Sequence, residues 1–243
     1  MRNLIIPIGR QARNAIWPTL ARQYRSNPAK ASSFRLKVLG IADLSYRPNF
    51  AALANAVDKT AGLEGKIIEC GVFRGSTLIG MAHRLVLKGR SDFSLIGCDS
   101  FEGFPEPTKE DALSDGTLHE SALKGVYSDT SYEGLQSRIS ALGYANNIRL
   151  VKGFFNHTLP SLTNEKFRLV HLDCDLYDSY IACLNILYPL LIPGGYMVFD
   201  EYDLAVGAYP GAQKAIDQFL ADKPEKIQRY GEGTHTRCFI VKQ

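Results

Sequence analysis

The chain lacks any apolar run near the ~20 residues needed to span a bilayer, so no membrane-spanning helix is expected. It has no Cys-x-x-Cys pair. The five cysteines (Cys70, Cys98, Cys174, Cys183, Cys238) are odd in number and widely spaced. That argues against a disulfide framework or a zinc cluster, and for a reducing, cytoplasmic setting. They read as small buried apolar residues. Neither a phosphate loop of the GxxxxGK[ST] type nor a GxGxxG spacing is present, which removes the usual nucleotide-phosphate signatures. Acid is missing altogether from residues 1–42, which hold eight Lys/Arg. The net charge of +3 therefore divides into +8 on this arm and −5 on the remainder. A basic surface confined to one terminal arm argues against a nucleic-acid-binding protein.

What is present suits one sizeable core: 243 residues, 45% hydrophobic and 22% charged, ordinary values for a globular domain. Residues 1–48 read as a basic N-terminal arm or helical extension and residues 49–243 as the catalytic domain. With Leu4-Ile5-Ile6, Ile16-Trp17 and Leu20 among its cations, the arm reads first as a flexible or partner-packed terminus. Contact with an anionic membrane or an adjacent subunit is the sharper alternative. The arm lacks the continuous apolar region and cleavage site of a secretory signal; an Arg-rich, acid-poor start also resembles an organelle transit peptide. Beyond it, strand-like runs at 66–70, 93–98, 148–152, 167–173 and 196–200 alternate with helix-like runs at 50–60, 76–88, from 131, 177–191 and 212–220. Two more strands are expected near 226–230 and 237–241. Strands separated by helical crossovers imply an α/β fold with a mostly parallel sheet and helices on both faces, of the Rossmann-like kind. Residues 101–130, rich in Pro, Gly, Asp and Ser, form a long loop of the sort that serves a site.

Two apolar runs end in acid, Arg168 to Asp173 and Gly195 to Glu201. Strand carboxyl ends are where open α/β sheets bind ligands, and three acids gathered there suit a hard divalent cation. Glu69-Cys70-Gly71-Val72-Phe73-Arg74-Gly75-Ser76 joins a strand to a helix. Its glycines permit a tight turn and close approach of a ligand. Glu69 repels a pyrophosphate but suits ammonium or sulfonium charge. Asp99, followed by Ser100, ends the next strand and is placed to accept ribose hydroxyls. Together these favour S-adenosylmethionine over a dinucleotide. Gly153 and Phe154, with Phe155, follow the third strand, where a ring can stack on adenine. His171 reads as a core histidine rather than a base. His119 could enter from the long loop, and a second lid is expected over Tyr202 to Gly211. Asp178 reads as a helix-start acid, and Asp175 stays open between structural and catalytic roles.

Five motifs in order, Glu69 to Ser76, Asp99 to Pro105, Gly153 to Pro160, His171 to Ser179, and Pro193-Gly194-Gly195 through Asp200-Glu201-Tyr202, resemble the macrocin O-methyltransferase family, which methylates sugar hydroxyls of natural products. The resemblance covers about residues 60–222. It implies a class I methyltransferase fold with a seven-stranded sheet, S-adenosylmethionine bound by Glu69, Gly71, Phe73, Gly75, Ser76, Asp99, Ser100, Gly153 and Phe154, and magnesium or another divalent cation held by Asp173, Asp200 and Glu201. Asp173 takes the catalytic role. The family commonly carries Asp-Asp where this chain has Asp200-Glu201, so the third ligand is the point of departure. The implied partners are a sugar-containing small-molecule acceptor and, with the apolar residues of the arm, a second copy in a homodimer. Two alternatives remain: a metal-independent methyltransferase with another acceptor, and a non-catalytic protein that binds the donor or its product as a scaffold.

Overall fold

Alternation along the strands sorts the core into two layers. In the computed structural model, which describes residues 10–44, 50–202, 209–231 and 237–243, successive strand side chains point to opposite sheet faces. Ile67, Leu95, Leu169, Val198 and Phe239 join one apolar cluster, while Ile68, Ile96, Val170, Met197 and Ile240 join another. Both faces are therefore buried, which explains why the strands read as continuous apolar runs rather than as alternating ones.

The strands are β1 (Lys66–Cys70), β2 (Leu95–Asp99), β3 (Ile148–Lys152), β4 (Phe167–Leu172), β5 (Leu191–Phe199), β6 (Gln228–Tyr230) and β7 (Arg237–Val241). They form one seven-stranded sheet in the order β3-β2-β1-β4-β5-β7-β6. The first five in that order are parallel, and β7 runs antiparallel to both neighbours. The helices are α1 (Arg10–Ser26), α2 (Ser33–Leu39), α3 (Ala51–Thr60), α4 (Ser76–Leu87), α5 (Tyr132–Ala141), α6 (Phe155–Thr158), α7 (Tyr177–Leu187) and α8 (Pro210–Leu220). Residues of α3, α4 and α5 cover the first face; α7 and α8 cover the second. Strand order reverses between β1 and β4, and the crevice beyond their carboxyl ends is where such sheets bind ligands.

The largest shift from the expected boundaries lies between α7 and β5. The helix expected over 177–191 ends at Leu187, followed by a single tight turn, Tyr188–Leu190. Pro189 lacks the N–H a continuing helix needs. β5 then begins at Leu191, not 196, and carries Pro193-Gly194-Gly195 as an irregularity: Phe167 pairs with Leu191, but Leu169 with Tyr196. Proline is tolerated in a sheet at such a bulge.

From α1 onward the basic arm packs on the domain's own core. Ala21, Tyr24, Leu36 and Leu39 are buried in the first cluster. The Tyr24 hydroxyl lies 2.8 Å from His83 Nδ1 and also meets the Tyr144 hydroxyl. Ile16 and Phe34 remain exposed. Leu4-Ile5-Ile6 lies outside the described residues, as does the middle of the expected second lid, 203–208.

Candidate active site

Register brings the acids together. Glu69 on β1 sits opposite His171 on β4, which sits opposite Val198 on β5. The backbone N–H of Asp173 donates to the Cys70 carbonyl, and that of Asp200 to the Leu172 carbonyl. The chain turns at Gly71 (φ +89°), where an added Cβ would stand 1.6 Å from the Asp173 carbonyl oxygen. Gly71 is thus demanded by the neighbouring strand end as well as by a ligand. Gly75 (φ +71°) precedes α4 and packs against Leu135.

A cavity of about 450 Å³ opens here, within the size range of small-molecule sites. Five of the expected residues, Gly71, Asp99, Ser100, Phe154 and Asp173, line it, together with Phe155, Asp178 and Tyr127. Glu69 is fully buried and not at its wall. Phe73, Gly75, Ser76 and Gly153 are also off the wall and frame it through the backbone. Phe73 N–H donates to Asp99 Oδ2 at 2.8 Å, and Phe101 N–H to Asp99 Oδ1 at 2.7 Å. The Gly153 N–H donates to the Asp99 carbonyl, and the Ser76 carbonyl accepts from Ala42 N–H. Burial pushes the Asp99 carboxyl up despite those two donors. A carboxylate has about four acceptor sites, so capacity remains for a further donor. The Ser100 hydroxyl donates to the Gly103 carbonyl and holds the start of the long loop.

The acidic side is built differently. Asp173, Asp175 and Glu201 each present an oxygen within 4.8 Å of the others'. Glu201, itself buried, meets the Tyr180 hydroxyl. Burial first, then repulsion from Asp200, pushes the Asp173 carboxyl up to about 7. Burial and the neighbouring acids push Asp175 and Glu201 up as well, with Tyr209 opposing at Asp175 and Tyr180 at Glu201. Beneath them His171 Nδ1 lies 2.9 Å from Glu69 Oε1. Burial disfavours its charged form, but Glu69, Asp173 and Asp200 outweigh that and its pKa rises. An all-oxygen set of mutually repelling carboxylates fits a hard divalent cation. The grouping differs from the expected Asp173, Asp200 and Glu201: Asp200 Oδ1 accepts from Arg237 Nε at 3.0 Å, and Asp175 joins the cluster in its place. Asp175 does so from a left-handed backbone (φ +60°).

A second cavity, of about 540 Å³, is lined by Glu201, Tyr209, Gln213, Lys214 and Asp217. The neighbouring Asp173 and Glu201 thus touch one cavity each. The long loop covers the region through aromatic contacts: Phe104 and Phe73 against Tyr127, and Phe104 against Tyr209. The Tyr127 and Tyr209 hydroxyls lie 3.3 Å apart. His119 is not brought to the site; its Nδ1 caps its own turn by accepting from Ser121 N–H at 3.2 Å. Sequence reasoning missed Tyr180, Arg237 and Asp111. Only Asp111 carried a local signal, the Thr108-x-x-Asp111 capping-box spacing.

The profile described as Macrocin-O-methyltransferase (TylF) matches residues 35–229. Among characterised proteins, the chain is 29% identical over 177 residues to a mycinamicin III 3''-O-methyltransferase of Micromonospora griseorubida, covering 70% of this chain and 68% of that one. It is 32% identical over 144 residues to an 8-demethyl-8-(2,3-dimethoxy-alpha-L-rhamnosyl)-tetracenomycin-C 4'-O-methyltransferase of Streptomyces olivaceus, covering 58% and 54%. The chain spans about two thirds of the first relative and about half of the second. Among solved structures, the O-methyltransferase NovP superposes with a TM-score of 0.68 at 21% identity, over 96% of this chain and 98% of that one. A calicheamicin methyltransferase superposes at 0.64 and 19% identity, over 97% and 94%. At those identities the likeness shows the fold: a methyltransferase sheet of seven strands.

Proposed function

The chain belongs to the macrocin O-methyltransferase family, and from that premise we propose that it methylates a hydroxyl of a sugar-containing small molecule, using S-adenosylmethionine and a divalent cation such as magnesium. The observation that carries this reading is an acidic cluster, Asp173, Asp175 and Glu201, with Asp173 on one cavity and Glu201 on another. The first is lined by Gly71, Asp99, Ser100 and Phe154 as well; the second adds Tyr209, Gln213, Lys214 and Asp217 to Glu201. S-adenosylmethionine, when bound, supplies an electrophilic methyl group on a sulfonium. A divalent cation, when bound, lowers the pKa of a hydroxyl and fixes its position.

The chain's own residues do the rest. Asp99 orients the donor's ribose through lone pairs its backbone partners leave free, and Phe154 offers a ring to the adenine. Asp173, Asp175 and Glu201 hold the cation, with Asp200 as the ligand expected from the family but engaged by Arg237. Asp173, at the wall of the donor cavity and beside Glu201, accepts the proton of the acceptor hydroxyl at its carboxylate. Tyr127, Phe104 and Tyr209 exclude water above the reacting pair. Five buried free cysteines support a cytoplasmic setting, and exposed Ile16 and Phe34 support a homodimer. Residues 1–48 then act as an extension and 49–243 as the catalytic domain. Among the described residues no helix is long and apolar enough to cross a membrane.

The Asp200–Arg237 ion pair favours one second reading: methyl transfer without a metal, on a different acceptor. Methylation of a panel of deoxysugar acceptors, run with magnesium and with chelator, separates the two. Turnover that chelator abolishes and magnesium restores is the expected result; full turnover in chelator selects the second reading. Calorimetry with S-adenosylhomocysteine tests the premise common to both, and absence of binding would sink both.

A further inference from the structure

A buried carboxylate sits where three segments meet, and none of the chemistry above uses it. Asp111 belongs to the long loop between β2 and α5, in a tight turn, Lys109–Asp111. It is almost wholly buried, and its two oxygens face different segments. Oδ2 accepts from Thr108 N–H at 2.8 Å and from the Thr108 hydroxyl at 3.0 Å, closing the turn on itself. Oδ1 accepts from Tyr177 N–H at 2.7 Å, 66 positions further along the chain.

Tyr177 is the first residue of α7. The first N–H groups of a helix have no partner within it. The residue before it is Leu176, whose side chain caps nothing. The missing cap arrives from the long loop instead, as a carboxylate that also suits the positive end of the helix. The third segment is α8. Its Gly211 comes so close that an added Cβ would stand 2.1 Å from Asp111 Oδ1, and Lys214 pairs with Glu110 on the same turn.

What lies just before Tyr177 gives the cap its consequence. Between Asp173 and Tyr177 the chain makes a tight turn: Leu176 N–H donates to the Cys174 carbonyl at 2.6 Å, and Asp175 holds φ +60°. A non-glycine residue keeps such a conformation only when its surroundings over-determine it. One end of this turn is fixed by β1, through Asp173 N–H on the Cys70 carbonyl. The other end is fixed at Tyr177 N–H by Asp111.

We propose that Asp111 is a positioning residue: the long loop delivers it as the cap of α7, and through that hydrogen bond it holds Asp173 and Asp175 in the arrangement that receives the cation. The inference rests on reading Asp173, Asp175 and Glu201 as the cation-holding cluster. It makes closure of the loop and assembly of the acidic cluster one event.

The test uses the full chain in four forms: wild type, Asp111→Ala, Asp111→Asn and Gly211→Ala. Hydrogen exchange reads the cap directly. In Asp111→Ala, amides of residues 173–179 should exchange about five- to tenfold faster while those of β1 and β2 stay unchanged. Calorimetry with magnesium chloride, in the presence of S-adenosylhomocysteine, reads the consequence. Magnesium affinity should fall about 10–100-fold, the usual effect of removing an outer-shell partner, with S-adenosylhomocysteine affinity held. Asp111→Asn can keep an oxygen toward Tyr177 and should recover much of the loss. If Asp111→Ala does not fold, Gly211→Ala carries the test, since its methyl group would displace Oδ1 without removing the charge. Wild-type exchange at 173–179 in a folded variant would overturn the proposal. So would uniform loss of protection across the sheet, which would mark general destabilisation. A wild-type protein that binds no magnesium would instead defeat the cation reading, and the exchange result would still decide the cap.

Discussion

The two halves of the site are finished to different degrees. On the donor half, at the end of β2, Asp99 accepts from the Phe73 and Phe101 N–H groups, and the Ser100 hydroxyl donates to the Gly103 carbonyl. On the acidic half, at the ends of β4 and β5, Asp173, Asp175 and Glu201 face one another, and burial with mutual repulsion pushes all three up. The contrast is physical. A carboxylate can be stabilised by backbone N–H groups that folding itself supplies, whereas clustered carboxylates in a buried site either take up a proton or gain a positive charge. The donor half is therefore preorganised by the fold. On the proposed function, a divalent cation would complete the acidic half.

The comparison can be broken most sharply at Asp173. Asp173→Asn should lower kcat/KM about 10²–10⁴-fold while leaving S-adenosylhomocysteine affinity within about threefold, measured by methyl-transfer kinetics and calorimetry. Equal loss of both would mean the halves are not separable. Gly71→Ala attacks the seam between them: with φ +89° and the Asp173 carbonyl 1.6 Å from the added carbon, it should cost more than about 4 kcal/mol. A melting temperature near that of the wild type would refute the close approach.

Acid titration sharpens the difference. An ordinary aspartate titrates near 3.8, and the fold raises Asp173 to about 7. The folded state thus prefers the protonated form. The stability this gives is full below about pH 3.8 and is lost as pH rises through about 7; Asp175 and Glu201 act in the same direction. Metal-free protein should therefore lose melting temperature between pH 5 and 8 from these groups. Magnesium at about 100 times its Kd should add about 2.7 kcal/mol, more at pH 8 than at pH 5. A magnesium shift independent of pH would count against the acids as its site. The smallest effect belongs to the donor half. Asp99→Asn leaves one backbone N–H without its acceptor and should weaken S-adenosylhomocysteine binding by about 1–3 kcal/mol, read by calorimetry, without changing magnesium dependence.

Much of this was legible in the residues. The strands announced themselves because both sheet faces are buried, so apolar residues dominate β1, β4 and the end of β5 on both faces. The glycine turn and Asp99 were legible because a tight turn and a strand-end acid are local requirements. Residues whose roles depend on distant partners were not. Asp200 read as a ligand because it ends a strand; its ion pair forms because β7 returns antiparallel beside β5 and brings Arg237 alongside. Asp175 stayed open because nothing local distinguishes it from a helix-start acid. Asp111 lay in an aperiodic loop, with only a capping-box spacing to mark it and no hint of which helix it would also cap.

By itself the amino-acid sequence determined the α/β class, the strand ends that form the site, and the acids and glycines placed there. These depend on period, turn chemistry and burial, which act over a few residues. Only the tertiary structure decided which acids face one another, which is taken by an arginine, and which loop carboxylate closes the start of α7. Those outcomes depend on strand order and on contacts between segments tens of residues apart, where Coulomb repulsion and hydrogen bonding act through space rather than along the chain.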